Sequence, residues 1–248
     1  GPSAFKLLGL SSEEFPPLAR FDGGSEFKMD QAVLRDCLRK TSYAISTDET
    51  RYVLNGILFS FKDNMLTMVA TDGRRLAMVE QELEFPQSHE IEFIVPTKAV
   101  NELQRLLGED GEVTIRVSGS QAGFDMGSSL LVTKLIEGNY PNYRQVIPGD
   151  PKERIALERE SFLKSISRVS LLASEKSNSV KLQFAPHNVE IIASSPDIGE
   201  ARESLAINYK GVPINIAFNP EFLMAPLRNL ANDEVALHLI DEISPGVL

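Results

Sequence analysis

One block of this sequence occurs twice. Leu66-Thr-Met-Val-Ala-Thr71 resembles Val189-Glu-Ile-Ile-Ala-Ser194, and the stretch from Phe93 to Leu107 resembles that from Ala217 to Ala231. The offset, about 123 residues, is several times longer than a solenoid repeat and calls for a duplicated domain instead of a stacked array. A chain of 248 residues with 42% apolar composition can supply two cores, each of about 120 residues and within the usual domain size.

The order of predicted elements is the same in both copies. Residues 27–46 read as a helix, with Val33, Leu34, Cys37, Leu38 and Ile45 on one face, and 159–174 as its partner, with Phe162, Leu163, Ile166, Val169 and Leu172. Strands follow at 53–61 and 65–70 in one copy and at 180–184 and 189–193 in the other. They are joined by the turn chemistry of Lys62-Asp-Asn and Pro186-His-Asn. Second helices are predicted at 97–107 and 219–230, with Thr97 and Asn219 as N-caps and Pro220 at the first helical position. Strands at 112–117, 121–125 and 130–135 close the first copy, matched by 235–240 alone in the second. Two helices packed on one face of an antiparallel sheet make an α+β domain. The proline and glycine of 136–152 mark a linker. Pro226, inside the last helix, removes a hydrogen bond at a cost of about 3 kcal/mol, and predicts a kink or an early end.

Composition narrows the function. A net charge of −10 argues against a protein that wraps DNA tightly, because such affinity comes from Lys and Arg displacing counterions. Encirclement needs far less direct affinity, and with a screening length of about 8 Å an acidic exterior barely cancels a basic lining. One cysteine, Cys37, excludes a disulfide framework and a cysteine-built metal site. No run approaches the roughly 18 apolar residues of a membrane span, and no signal peptide is evident, so a cytoplasmic protein is expected. His89, His187 and His238 are scattered, and no serine elbow, dinucleotide glycine pattern or carboxylate dyad is present. No catalytic residue, metal site or cofactor is expected.

Two features point to binding. At about 100° per residue, Lys28, Arg35, Arg39 and Ser42 share a stripe of the first helix. Lys98 and Arg105 share a face of the second helix, Lys164 and Arg168 lie four apart on the third, and Arg228 is on the fourth. An ordinary solvated face would look the same, but repetition on all four helices suits a channel that contacts phosphates without reading bases. The turn Thr71-Asp72-Gly73-Arg74-Arg75 is hairpin chemistry first of all. With Leu76 beside it, it also offers a charged rim over an apolar floor.

The motifs Arg51-Tyr-Val-Leu-Asn-Gly, Ala70-Thr-Asp-Gly-Arg-Arg-Leu-Ala, Lys134-Leu-Ile-Glu-Gly-Asn-Tyr-Pro-Asn-Tyr-Arg, Ser174-Glu-Lys and Ala217-Phe-Asn occur in the order seen in the bacterial sliding clamp, the beta subunit of DNA polymerase III. The chain resembles that family along essentially its whole length. The resemblance implies the DNA-clamp fold and a head-to-tail two-subunit ring of three-domain subunits, which encircles duplex DNA and is loaded by a clamp loader. It implies an apolar pocket for peptides of DNA polymerase III and other clamp-binding proteins. By position that pocket uses Leu54, Thr71, Gly73, Arg74, Arg75 and Leu76, then Pro141 and Val146, and Phe222, Ile243 and Pro245. Arg74 stands where members often carry histidine, and Gln145 where some carry arginine. Leu171 and Leu172 match the subunit contact, and Arg51 and Tyr52 look DNA-proximal. By this resemblance residues 1–20 are the closing strand of a first domain with its connector at 11–17. Residues 21–147 are the middle domain, and 148–248 the C-terminal domain without its last strand. This polypeptide alone is therefore expected not to close a ring, and a peptide-binding adaptor without DNA encirclement is the alternative reading.

Overall fold

The computed structural model describes residues 1–14, 21, 24–173 and 178–248. The Ser174-Glu-Lys motif and part of the connector lie outside the described residues. The first module runs β1 (Ser25–Asp30), α1 (Gln31–Thr41), β2 (Gly56–Lys62), β3 (Met65–Thr71), β4 (Leu76–Glu82), β5 (Ile91–Pro96), α2 (Thr97–Leu106), β6 (Glu112–Ser118), β7 (Gln121–Asp125) and β8 (Leu130–Lys134). The second runs β9 (Glu153–Glu158), α3 (Arg159–Val169), β10 (Val180–Ala185), β11 (Asn188–Ser195), β12 (Gly199–Ala206), β13 (Ile214–Phe218), α4 (Pro220–Asn229) and β14 (Glu234–Leu239).

The duplication extends to pairing. The order β4-β3-β2-β5 is repeated as β12-β11-β10-β13, and β1 pairs with β6 as β9 pairs with β14, all antiparallel. Each module thus holds two sheets. The turns behave as their residues dictate. Asp63 and Asn64, at φ of 53° and 56°, close the two-residue hairpin between Lys62 and Met65, as residues tolerant of positive φ allow. Pro186 and His187, the latter at φ of 64°, close the equivalent hairpin between Ala185 and Asn188.

Several boundaries differ from the sequence reading. The first predicted helix begins as a strand: Phe27 and Met29 are buried while Glu26, Lys28 and Asp30 face solvent, a period of two that leads into the helix only after Asp30. Lys28 therefore does not share the stripe of Arg35 and Arg39. Strands β4, β5, β9, β12 and β13 escaped prediction. β12 has no buried residue and carries charge, as suits an edge strand. Thr97 is inside α2, its hydroxyl donating to the Asn55 carbonyl at 2.6 Å, with Pro96 at the cap position. Asn219 does cap α4, accepting from the Glu221 amide at 2.9 Å. α4 stays helical through Pro226 to Asn229. Burial of Leu223, Met224 and Leu227, each worth about 1.5–3 kcal/mol, outweighs the lost hydrogen bond.

Each module has its own core. In the first, Phe27 stacks on Phe61 with ring centroids 3.7 Å apart, and Phe59 on Phe93 at 5.4 Å. In the second, Phe162, Phe184, Ile191 and Leu237 are among the buried residues. A third, smaller cluster on the other face of β2, β3 and β5 joins Leu58, Val69, Ile94 and Tyr143. The helices adjoin in the order α2, α1, α4, α3, forming one row across both modules. No helix among the described residues is long and apolar enough to cross a membrane.

Candidate functional site

The four residues between β3 and β4 form a turn that satisfies itself. Asp72 Oδ1 accepts from the amides of Arg74 and Arg75 at 2.9 and 3.0 Å, and its Oδ2 accepts from Arg75 Nε at 3.2 Å. Thr71 Oγ1 accepts from the Gly73 amide at 3.1 Å and donates to the Arg75 carbonyl at 2.7 Å. Gly73 has φ of +83°, a conformation that favours glycine, while the Arg51 Nη1 that an added Cβ would meet at 2.6 Å is the end of a flexible side chain that can move aside. With the backbone fixed, Arg74 projects into solvent while Arg75 turns inward. The Arg75 guanidinium carbon lies 5.7 Å from the Tyr43 ring centroid and 4.7 Å from that of Phe222 on α4.

Leu76 packs with Val53, Ile136 and Tyr140 against the small cluster of Leu58, Val69, Ile94 and Tyr143. The first part of the predicted linker is thus docked. The Ile136 amide donates to the Ile94 carbonyl at 3.0 Å, and the Thr71 amide donates to Tyr140 Oη at 3.1 Å. Proline and glycine content suggested a flexible connector, but the two tyrosines and Ile136 among those residues were the contrary signal. Tyr140 and Tyr43 were both missed as neighbours of the turn. Burial pushes the Tyr140 phenol up to about 12, so it stays neutral and hydrogen-bonding throughout the physiological range.

The structure gathers Thr71, Arg75, Leu76 and Phe222 around this turn, with Gly73 and Arg74 on its tip. Leu54 is buried at the end of the 3-10 helix Glu49–Leu54, next to Val53 of the cluster. Pro141 is exposed directly after Tyr140, and Val146 follows Tyr143 with 63% of its surface open. Ile243, 95% exposed, and Pro245 lie on the loop after β14, where Asp241 accepts from the amides of Ile243 and Ser244.

The expected DNA-facing cations are mostly paired within the chain. Arg39 and Lys40 share Asp36, each at 2.5 Å. Arg105 meets Glu102 at 2.5 Å, Lys164 meets Glu160 at 2.6 Å, and Arg228 meets Glu221 at 2.8 Å. Arg168 bonds Glu203 on β12, which holds that carboxyl below its usual range. Arg51 bonds Asp48 at 3.0 Å. Arg35 and Lys28 make looser contacts, to Glu109 at 3.9 Å and Glu112 at 3.8 Å, and Lys98 is exposed. Exposed pairs of this kind contribute little stability and can exchange partners, so phosphates can compete for these cations. Tyr52 is 58% exposed. Leu171 is exposed and Leu172 half-buried on the 3-10 helix Ser170–Leu172. No cluster of metal-ligating side chains occurs among the described residues. Cys37 is buried, and burial pushes its thiol up to about 11, which removes the thiolate that nucleophilic chemistry needs.

Comparison with known proteins shows the family. Residues 28–142 match the family model described as DNA polymerase III beta subunit, central domain, and residues 144–248 match its C-terminal domain. The chain belongs to the beta sliding clamp family. A beta sliding clamp of Chlamydia muridarum is 36% identical across 100% of this chain and 68% of the relative, and that of Bacillus subtilis is 32% identical over 100% and 67%. The crystal structure of the DNA polymerase sliding clamp from Pseudomonas aeruginosa superposes with a TM-score of 0.92 at 32% identity, covering 99% of this chain and 68% of that one. A further structure of the Pseudomonas clamp, bound to griselimycin, has the same TM-score and identity. The chain spans 60–68% of the length of its Chlamydia relatives. The α+β clamp fold is therefore established, with the two matched domains in family order.

Proposed function

We propose that this chain forms the central and C-terminal parts of a cytoplasmic, non-catalytic DNA sliding clamp, which surrounds duplex DNA and holds polymerase and other replication proteins beside it. The observation that carries this reading is the row α2-α1-α4-α3. Two modules of one topology set their helices side by side, as the lining of a ring requires, with exchangeable cations Arg35, Arg39, Lys98, Arg105, Lys164, Arg168 and Arg228 on those helices. Lys28, Arg51 and Tyr52 would add contacts from outside the row. Leu171 and Leu172 would be available to a second subunit, and a clamp loader is the implied partner for opening the ring.

The turn at Thr71–Leu76 would serve as the floor of the partner pocket. Leu54, Gly73, Arg74, Arg75, Pro141, Val146 and Phe222 would surround it, and Ile243 and Pro245 would contribute from the loop after β14. The proposed boundary between the modules falls at residues 147 and 148. Griselimycin is the direct probe, because a Pseudomonas clamp has been crystallised with it. Saturable binding by calorimetry, weakened by Leu76→Ala, is expected. Absence of binding, or indifference to that substitution, would refute the pocket. Retention on circular but not on linear DNA, measured with this chain carried within a full-length two-subunit clamp, tests encirclement.

A further inference from the structure

Arg75 joins the two modules. Tyr43 lies in the 3-10 turn Ser42–Ala44 after α1, Arg75 precedes β4, and Phe222 lies near the start of α4. Their separations, 5.7 Å to Tyr43 and 4.7 Å to Phe222, are both inside the reach of about 6 Å for a cation over a ring face. Asp72 occupies Nε, while Nη1 is sealed from solvent without an acceptor. A buried N–H without an acceptor costs about 1–3 kcal/mol, comparable with the roughly 0.5–2 kcal/mol that each ring face returns. With one ring removed, the balance turns against keeping the cation inside.

We propose that Tyr43 is a positioning residue. It holds the Arg75 guanidinium against Phe222, and the resulting three-part stack sets the placement of the two modules and the shape of the pocket rim. The effect on module placement stands on the stack alone, whereas the effect on ligand binding rests on the pocket reading above. Tyr43 belongs to none of the residues matched to the pocket, and only the folded chain brings it to Arg75.

The test places spin labels at Asn101→Cys on α2 and Lys181→Cys on β10, both exposed. The buried Cys37, with its raised thiol, stays unlabelled. Double electron–electron resonance then reads the distance between modules. Tyr43→Leu and Arg75→Gln are each expected to broaden the distance distribution and to weaken griselimycin binding about fivefold, on the order of 1 kcal/mol. Tyr43→Phe, which keeps the ring, should preserve both. Leu76→Ala should weaken griselimycin without changing the distances. Unchanged distances in Arg75→Gln, together with unchanged distances in any folded Tyr43→Leu protein, overturn the proposal. If Leu76→Ala leaves binding intact, the pocket reading falls while the distances still decide the stack.

Discussion

Replacing Tyr140 by phenylalanine removes one oxygen and leaves the ring. That oxygen accepts the Thr71 amide at 3.1 Å, at the end of β3 where the turn begins. Tyr140 is half-buried against the small apolar cluster, so the ring should remain seated and the Thr71 amide should lose its partner. A net hydrogen bond is worth about 0.5–1.5 kcal/mol, and a buried donor left unpaired costs about 1–3 kcal/mol. Because Thr71 is only partly buried and water can partly replace the phenol, the lower range applies, about 1 kcal/mol. Hydrogen exchange resolved to single amides should show Thr71 protection falling about fivefold, with the amides of Phe59 and Leu66 in the core unchanged. The difference should persist from neutral pH to about pH 10. A phenol raised to about 12 contributes its full stabilisation below its unfolded value and loses it only as pH climbs through the folded one. Unaltered exchange at Thr71 in Tyr140→Phe would refute the claim that the docked linker fixes the turn.

Gly73→Ala should destabilise the turn by about 1–2 kcal/mol, because of its positive φ; urea denaturation checks this. Leu76→Ala should cost about 1–2 kcal/mol of stability for a half-buried leucine, read from the same titration, and about tenfold in griselimycin affinity. At Asp36 burial pushes the carboxyl up, but bonds from Lys40 and Arg39 outweigh it and hold the group below its usual range. Its stabilisation is present above the ordinary aspartate value and is lost as pH falls through the depressed one, so Asp36→Asn should flatten the acid limb of the stability profile below about pH 4. The same substitution frees Arg39 and Lys40. It should tighten binding to duplex DNA with a salt slope steeper by about 0.9 for each phosphate newly contacted, measured by fluorescence anisotropy across a salt series.

The duplication, the helical apolar faces and the hairpin turns were legible in the sequence because each is local or strictly periodic. Val33 to Leu38 repeats at helical spacing, and Asp63-Asn64 can adopt positive φ without help from the rest of the chain. The edge strand β12 left no such trace, since charged residues on an exposed edge carry no apolar alternation. The strand at Phe27 was absorbed into its helix because two alternating apolar residues are too few to reveal a change of period.

What the sequence by itself determined is the pair of α+β modules, the family motifs and the residue types at the turn. Only the tertiary structure decided that Tyr140 pins the turn, that Arg168 pairs with Glu203 on β12, and that Arg75 sits between rings from both modules. These contacts join residues as far apart in the chain as Thr71 and Tyr140 or Arg75 and Phe222. No local period encodes such pairs. They arise when segments remote in the chain pack together and the side chains at the margins of the cores find partners.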